Sequence, residues 1–414
     1  MKLSFKLKPK MNSKTLAIVE ELSFHTTKLY NTANFNCRNN KFANYIAMNK
    51  LYSDNWHKEF LHSHNYQQCL KVLEQNWKSF FAAIKDYGNN PEKYKAAPKP
   101  PNFKNNKKKN EIIFTNLAIR VDGNIIKLSL SKKMQDKFKV KSLNFNISDN
   151  IKNLININSI QQIKINWENS TKQWSLIIVY NKEPKPYSVH NNLMSIDLGL
   201  GNLATLTFLN GAGSYIINGK SIKSANSYYN KEIAKLQSIR MKQVGSSDFK
   251  DTKKITALRR ARNNFVKNYM HKASRIIIDI ALSRKVSEII IGDISGIKQN
   301  SDIKSFVQVP IQRLVQMIEY KAALEGIVVY KVKEHYTSGT SSLDLEPIDK
   351  HHYNKSRRIK RGLFKSEQGI KINADVNGSL NILRKHLKDT CIPELIKSAT
   401  DNGFVNNPSR IRVI

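Results

Sequence analysis

Two aspartates stand where an acid is hard to explain as a solvated surface charge. Asp197 lies in Ser195-Ile196-Asp197-Leu198-Gly199, at the end of an apolar run, and Gly199 and Gly201 let the backbone turn close to a ligand. Asp375 lies in Ile372-Asn373-Ala374-Asp375-Val376-Asn377-Gly378-Ser379-Leu380-Asn381-Ile382, where it opens a helix whose Val376, Leu380 and Leu383 would pack on a sheet. Each has an ordinary explanation when taken alone. Aspartate beside glycine forms turns, and an acid in a first helical turn opposes the helix dipole. Together they suit phosphodiester cleavage by two divalent metals, ~3.5–4 Å apart, between carboxylates that converge from separate elements. Magnesium is a hard ion and takes such oxygen ligands.

The elements that must position these acids form an α/β series. Leu193–Leu198, Leu203–Leu209 and Ser214–Asn218 read as strands too closely spaced for crossovers, so they form an antiparallel meander. A helical stretch follows Ser221. A long basic helix fits 252–283, with Ile255, Leu258, Phe265, Tyr269, Ile276 and Ile280 at helical spacing. Strand Glu288–Ile294, a helix from about Pro310 to Glu325, strand Ile327–Val332, a polar segment 336–371 and helix Ala374–Leu387 complete the series. Three meander strands, then helix, strand, helix, strand, helix, is the order of an RNase H-like fold.

The first half has a different texture. Leu3–Leu7 alternates as a short strand, and residues 65–87 carry an apolar stripe of Tyr66, Leu70, Leu73, Trp77, Phe80, Ile84 and Tyr87, one helix face. Pro98, Pro100 and Pro101 break regular structure. Then come Glu111–Leu117, a turn at Asp122-Gly123-Asn124, Ile125–Leu130, Ile163–Trp167 and Trp174–Tyr180, which suggest a small β-barrel of hairpins to which residues 1–10 add a strand.

Charge identifies the class of partner. Lys and Arg number 69 and Asp and Glu 32, a formal net charge of +37, so the expected partner is a polyanion bound with steep salt dependence. Candidate phosphate contacts are Lys107 and Lys108 in the Lys/Asn-rich segment 102–110, Arg259 and Arg262 on the long helix, and Arg357, Arg358, Lys360 and Arg361 before Asp375. Six cations lie within the eleven residues from Lys355 to Lys365 and repel one another unless phosphates lie between them; a localisation-like run or a solvated loop has the same composition. Hydrophobic residues are 40% of the chain, enough for buried cores. No apolar run approaches the ~18 residues of a membrane span, and no signal-peptide pattern opens the chain. Cys37, Cys69 and Cys391 form no CxxC pair, which argues against a cysteine zinc site and a disulfide framework. A cytoplasmic location is expected.

At the level of motifs the chain resembles the transposon-encoded TnpB family. SIDLGLGNLATLTF looks like that family's first RuvC motif, with Asp197 as its acid, and NADVNGSLNILRK like its third, with Asp375. His271-Lys272-Ala273-Ser274, Phe306-Val307-Gln308-Val309-Pro310, Tyr336-Thr337-Ser338 and Arg357-Arg358-Ile359-Lys360-Arg361-Gly362-Leu363 also resemble it. The resemblance implies an α+β multidomain protein. A β-barrel wedge domain would take 1–12 and 96–190, a helical recognition domain 13–95, and a RuvC-like nuclease domain 191–414. It also implies a guide RNA, and magnesium-dependent cleavage of double-stranded DNA beside a short adjacent motif.

Two departures matter. The family's usual glutamate after the fourth strand falls on Gly292, in Ile289-Ile290-Ile291-Gly292-Asp293-Ile294. The next strand ends at Glu334, and some TnpB-like and Fanzor proteins carry a relocated glutamate of this kind. Glu334 is therefore expected as the third metal ligand with Asp197 and Asp375. Asp293 is the fallback, one residue over and facing the opposite side of its strand. The family's four-cysteine zinc finger corresponds to 339–371, which has no cysteine, so no zinc is expected. Two other readings remain open: a nuclease-inactive RNA-guided repressor, favoured by Gly292, and a compact type V CRISPR effector.

Overall fold

The computed structural model describes residues 1–39, 42–105, 109–169, 171–211, 213–293, 308–360, 362–388 and 403–413. The chain divides into two compact units, Met1–Lys182 and Glu183–Ile414.

In the first unit, α1 (Ser13–Asn39), α2 (Tyr45–Leu51), α3 (Trp56–Glu59) and α4 (Ser63–Asn89) precede most of the β structure. The stripe on α4 is buried at Tyr66, Leu70, Leu73 and Trp77, whereas Ile84 is exposed. Strands β1 (Lys2–Leu7), β2 (Ile112–Thr115), β6 (Ile160–Glu168) and β7 (Gln173–Asn181) form one sheet in the order β1-β7-β6-β2. The N-terminal strand joins it as expected, antiparallel to β7 from Lys2↔Asn181 to Leu7↔Leu176. A second sheet holds β3 (Ile119–Asp122), β4 (Ile125–Ser129) and β5 (Ser142–Asn146) in sequence order. These are open sheets, and no closed barrel occurs among the described residues. Hairpin signals set local pairing, but closure needs a matching tilt and stagger around every strand. Two short helices, α5 (Lys132–Phe138) and α6 (Asp149–Leu154), flank β5. The helices and both sheets share one apolar core, with Leu22, Leu70, Phe114, Phe145 and Ile163 all buried in it.

The second unit is built on one six-stranded sheet. β8 (Asn192–Leu198), β9 (Asn202–Phe208) and β10 (Ser214–Asn218) are the antiparallel meander. Helices α7 (Lys220–Val244) and α8 (Lys253–Ser283) lead to β11 (Val286–Asp293), and α9 (Ile311–Leu324) leads to β12 (Val328–Lys333). β11 lies parallel to both β8 and β12. After a short hairpin of β13 (Leu363–Lys365) and β14 (Lys371–Asn373) comes α10 (Ala374–Leu387), and β15 (Ser409–Ile411) pairs with β10. The strand order is β12-β11-β8-β9-β10-β15, so its first five strands have the expected RNase H-like arrangement.

The two faces of this sheet bury different partners. Ile196, Ile289 and Ile291 pack with Ile277 of α8 and Leu314 of α9, while Ile290 packs with Val376, Leu380 and Leu383 of α10. No helix among the described residues is long and apolar enough to cross a membrane.

Candidate active site

Strand register places three positions on the sheet face that α10 covers. Side chains alternate along a strand. Ser195 of β8 pairs with Ile290 of β11, which packs on α10, so Asp197 and Gly292, each two residues further on, share that face. Gly292 pairs with Val332 of β12, and Glu334 follows two residues later, again on the same face. Asp293 falls on the other.

Gly292 is the position that admits Glu334. A Cβ built on Gly292 would stand 1.9 Å from Glu334 Oε1, 2.6 Å from its Cδ and 2.7 Å from its Cγ. The glutamate thus fills the volume that a side chain at 292 would occupy. Its Oε1 is buried and has no hydrogen-bond partner among the described residues. Burial, and then the nearby charge of Asp293, push the Glu334 carboxyl up to about 7, while Lys385 pulls the other way.

Helix α10 approaches β8 closely because its contact residues are small. A Cβ on Gly378 would lie 2.7 Å from Asp197 Oδ2. One residue later, Ser379 Oγ meets Thr207 Oγ1 at 3.0 Å and donates to the Ser195 carbonyl at 3.2 Å, while Ser195 Oγ donates to the Ser379 carbonyl at 2.8 Å. Asp375 lies one turn before Gly378 on the same helix face. Asn373 caps this helix, its Oδ1 accepting from the Asp375 and Val376 amides. Asp375 Oδ2 accepts from Asn202 Nδ2 at 2.5 Å, and its Oδ1 pairs with Arg358 at 3.0 Å.

Electrostatics tie the acids together. The Asp197 carboxyl is raised well above the usual carboxylate range, by burial first and then by the charges of Glu334 and Asp375, with Arg358 opposing. Asp197 and Asp375 line a cleft of about 800 Å³, together with Lys220, Lys223, Arg358 and Arg410. Glu334 is not part of the cleft wall. Two carboxylates that raise the proton affinity of Asp197, with one Glu334 oxygen unpartnered among the described residues, fit a divalent cation by charge and by donor chemistry. Among the described residues, however, no group of three or more His, Cys, Asp or Glu is arranged to hold a metal ion, and Arg358 occupies one oxygen of Asp375.

The other candidate cations are placed as follows. Lys107, Lys108 and Arg361 lie outside the described residues. Arg259 pairs with Asp251, and Arg357 pairs with the buried Glu346. Arg262 donates to Asn226 Oδ1 and to the Gln308 carbonyl. Lys360 is exposed. Sequence reasoning did not single out Asn202, Lys220, Lys223, Gly378 or Arg410. A glycine inside a helix, where it weakens the helix unless a close contact needs it, was the available signal for Gly378.

The cysteine-free segment is held by the polar side of α10. Asn377 donates to the Thr340 carbonyl and accepts from the Ser342 amide, and Asn381 donates to the carbonyls of Thr337 and Thr340. Arg384 is 1% exposed and donates to the carbonyls of Ser341 and Glu346.

Sheet order and carboxylate placement define an RNase H-like domain with an acidic site. Residues 177–298 match the OrfB_IS605 family, described as a probable transposase, and residues 312–382 match the Cas12f1-like TNB domain. The chain is 31% identical over 235 residues to the CRISPR-associated endodeoxyribonuclease Cas12f1 of Sulfoacidibacillus thermotolerans, covering 54% of this chain and 53% of that protein. It is 27% identical over 203 residues to the TnpB-like protein ORF457 of Acidianus two-tailed virus, covering 47% and 42%. The chain spans about half the length of the curated relatives it matches. Among solved structures it resembles the Cas12f1-sgRNA-target DNA complex, with a TM-score of 0.52, 15% identity and coverage of 92% of this chain and 98% of that one. It also resembles the mini-RNA-guided endonuclease CRISPR-Cas_phi3, with a TM-score of 0.50, 10% identity and coverage of 93% and 92%. At such identities these likenesses speak for the fold alone. Parts of the chain are thus similar to TnpB-like and Cas12f proteins.

Proposed function

We propose that this protein is an RNA-guided, magnesium-dependent DNA endonuclease associated with a transposable element, working inside the cell on double-stranded DNA beside a short adjacent motif. The observation that carries the proposal is the volume exchange between Gly292 and Glu334, which puts a carboxylate back on the face that bears Asp197. Asp197, Glu334 and Asp375 would hold two magnesium ions, which when bound activate water and stabilise the leaving oxygen. Asn202 orients Asp375, and the close contact of Gly378 fixes the distance between helix and strand. Lys220, Lys223 and Arg410 would receive the phosphates of the strand in the cleft. Arg358 neutralises Asp375 in the free protein and would release it to a bound cation. Delegating sequence recognition to RNA leaves the protein to grip backbone, which suits its +37 charge.

A specific observation favours a second reading, a repressor that binds DNA through RNA without cutting it: Arg358 holds Asp375. A compact type V CRISPR effector would share the chemistry and differ in genomic setting. The test is to purify the protein, sequence its co-purified RNA, and offer the complex matching plasmids with randomised flanks and magnesium. Cleavage at matched sites supports the proposal. Stable binding at every magnesium concentration without cleavage supports the repressor.

A further inference from the structure

A second cavity, of about 270 Å³, adjoins the acidic cleft. Leu200 and Lys223 line both. The rest of its wall comes from α7, through Asn226, Ser227 and Asn230, and from Gln308 and Val309. No acid lines it. Its polar groups are amides and a hydroxyl, with a lysine at the border it shares with the cleft.

Asn226 is only 4% exposed. Its Oδ1 accepts from Arg262 Nε at 2.8 Å, and Arg262 is itself anchored to the Gln308 carbonyl at 2.7 Å. A guanidinium can only donate, so the amide oxygen must face it and Nδ2 must turn away. That Nδ2 is buried and has no partner among the described residues. Leaving a buried amide donor unpaired costs free energy that an acceptor-bearing ligand would recover. Asn230 and Gln308, by contrast, satisfy each other, at 3.1 and 2.9 Å.

The geometry points to a nucleobase site. We propose that this cavity receives the base of a nucleotide next to the scissile phosphate. Asn226 Nδ2 would donate to a ring carbonyl or ring nitrogen, Leu200 and Val309 would pack on the base, and Lys223 would meet the intervening phosphate. The inference rests on the nuclease reading, because a strand threaded past the carboxylates alternates phosphate and base, as these adjoining cavities alternate acid-lined and amide-lined walls. Extruded bases are held in this way, by apolar packing and hydrogen bonds to their edges. The volume lies below the ~300–1,000 Å³ of sites for drug-sized ligands, which suits one base.

The experiment uses the full chain with its co-purified RNA and a single-stranded DNA probe containing 4-thiothymidine. Irradiation in calcium is followed by mass spectrometry of the adducts, and the same complex is assayed for cutting in magnesium. We expect the adduct on the segment Asn226–Asn230 or at Gln308–Val309. Ser227→Leu, at an exposed helix position that lines the cavity, should reduce that adduct about ten-fold, within the range that loss of one base contact produces. Ser227→Ala should retain it. An adduct elsewhere, or one unchanged by Ser227→Leu at an unchanged melting temperature, overturns the base site even if the complex cuts DNA. An adduct at these residues in a complex that never cuts keeps the base site and removes the nuclease reading.

Discussion

Replacing Gly292 by alanine probes the third ligand without touching a carboxylate. The new Cβ would stand 1.9 Å from Glu334 Oε1, and ordinary contact begins at 3.4 Å, so that oxygen must retreat by roughly 1.5 Å. Its displacement costs little, because the obstructed atoms are the far end of a flexible side chain. An off-rotamer adjustment amounts to ~0.5–1.5 kcal/mol, and Gly292 has no positive φ to strain a Cβ. The melting temperature should therefore fall by only a few degrees. Activity should respond far more, since a misplacement of about 1 Å at a reacting centre costs roughly 100-fold. The assay is single-turnover cleavage of a matched DNA by the RNA complex, beside binding in calcium. Gly292→Ala should cut at least about 100-fold more slowly and bind nearly as well. Gly292→Glu combined with Glu334→Ala should recover part of the loss by returning the carboxylate to the neighbouring strand. Gly292→Ala cutting at the unmutated rate would refute the argument, because no ligand could move that far and still serve.

The folded protein holds the Glu334 proton up to about pH 7, whereas an unfolded glutamate releases it near ~4.3. Between those values the folded state binds more protons, so stability should fall as pH rises, by on the order of 4 kcal/mol at most. Melting curves in chelator at pH 5 and pH 7.5 would check this, and Glu334→Gln should flatten the difference; an equal pH response in both proteins would contradict it. Arg384→Met leaves the Ser341 and Glu346 carbonyls unpaired and should cost about 2–4 kcal/mol in denaturant unfolding, with fast proteolysis at 337–346. Metal analysis of the purified protein should return no stoichiometric zinc. Guide RNA affinity should drop steeply with salt, each neutralised phosphate adding ~0.7–0.9 to the log–log slope, and a flat response would separate the +37 charge from phosphate binding.

Three short apolar runs spaced too closely for crossovers made the β8–β10 meander legible, as the apolar spacing of Val376, Leu380 and Leu383 did for the helix behind Asp375. Glu334 could be read only by joining a vacancy at Gly292 to an acid one strand away, because register belongs to pairing and not to local sequence. Residues 132–154 were missed: Leu143 and Phe145 are the only two apolar positions of β5, too few to display a period. The clamp of Asn377, Asn381 and Arg384 was missed for the opposite reason. Polar residues on a helix ordinarily face water, and nothing local announces that these meet the carbonyls of a segment some forty residues earlier. Pairing of Arg358 with Asp375 and of Arg357 with Glu346 also shows that a run of cations can be balanced partly within the fold.

The most direct test of the site sets Glu334→Gln beside Asp293→Asn in one RNA-guided cleavage assay, with DNA binding measured in parallel. Glutamine keeps the size and removes the charge that a hard cation needs. Asp197, Glu334 and Asp375 acting as a unit predicts that Glu334→Gln abolishes cutting, as Asp197→Asn and Asp375→Asn do, while binding persists and Asp293→Asn stays substantially active. An active Glu334→Gln beside a dead Asp293→Asn would return the third ligand to β11 and contradict the account.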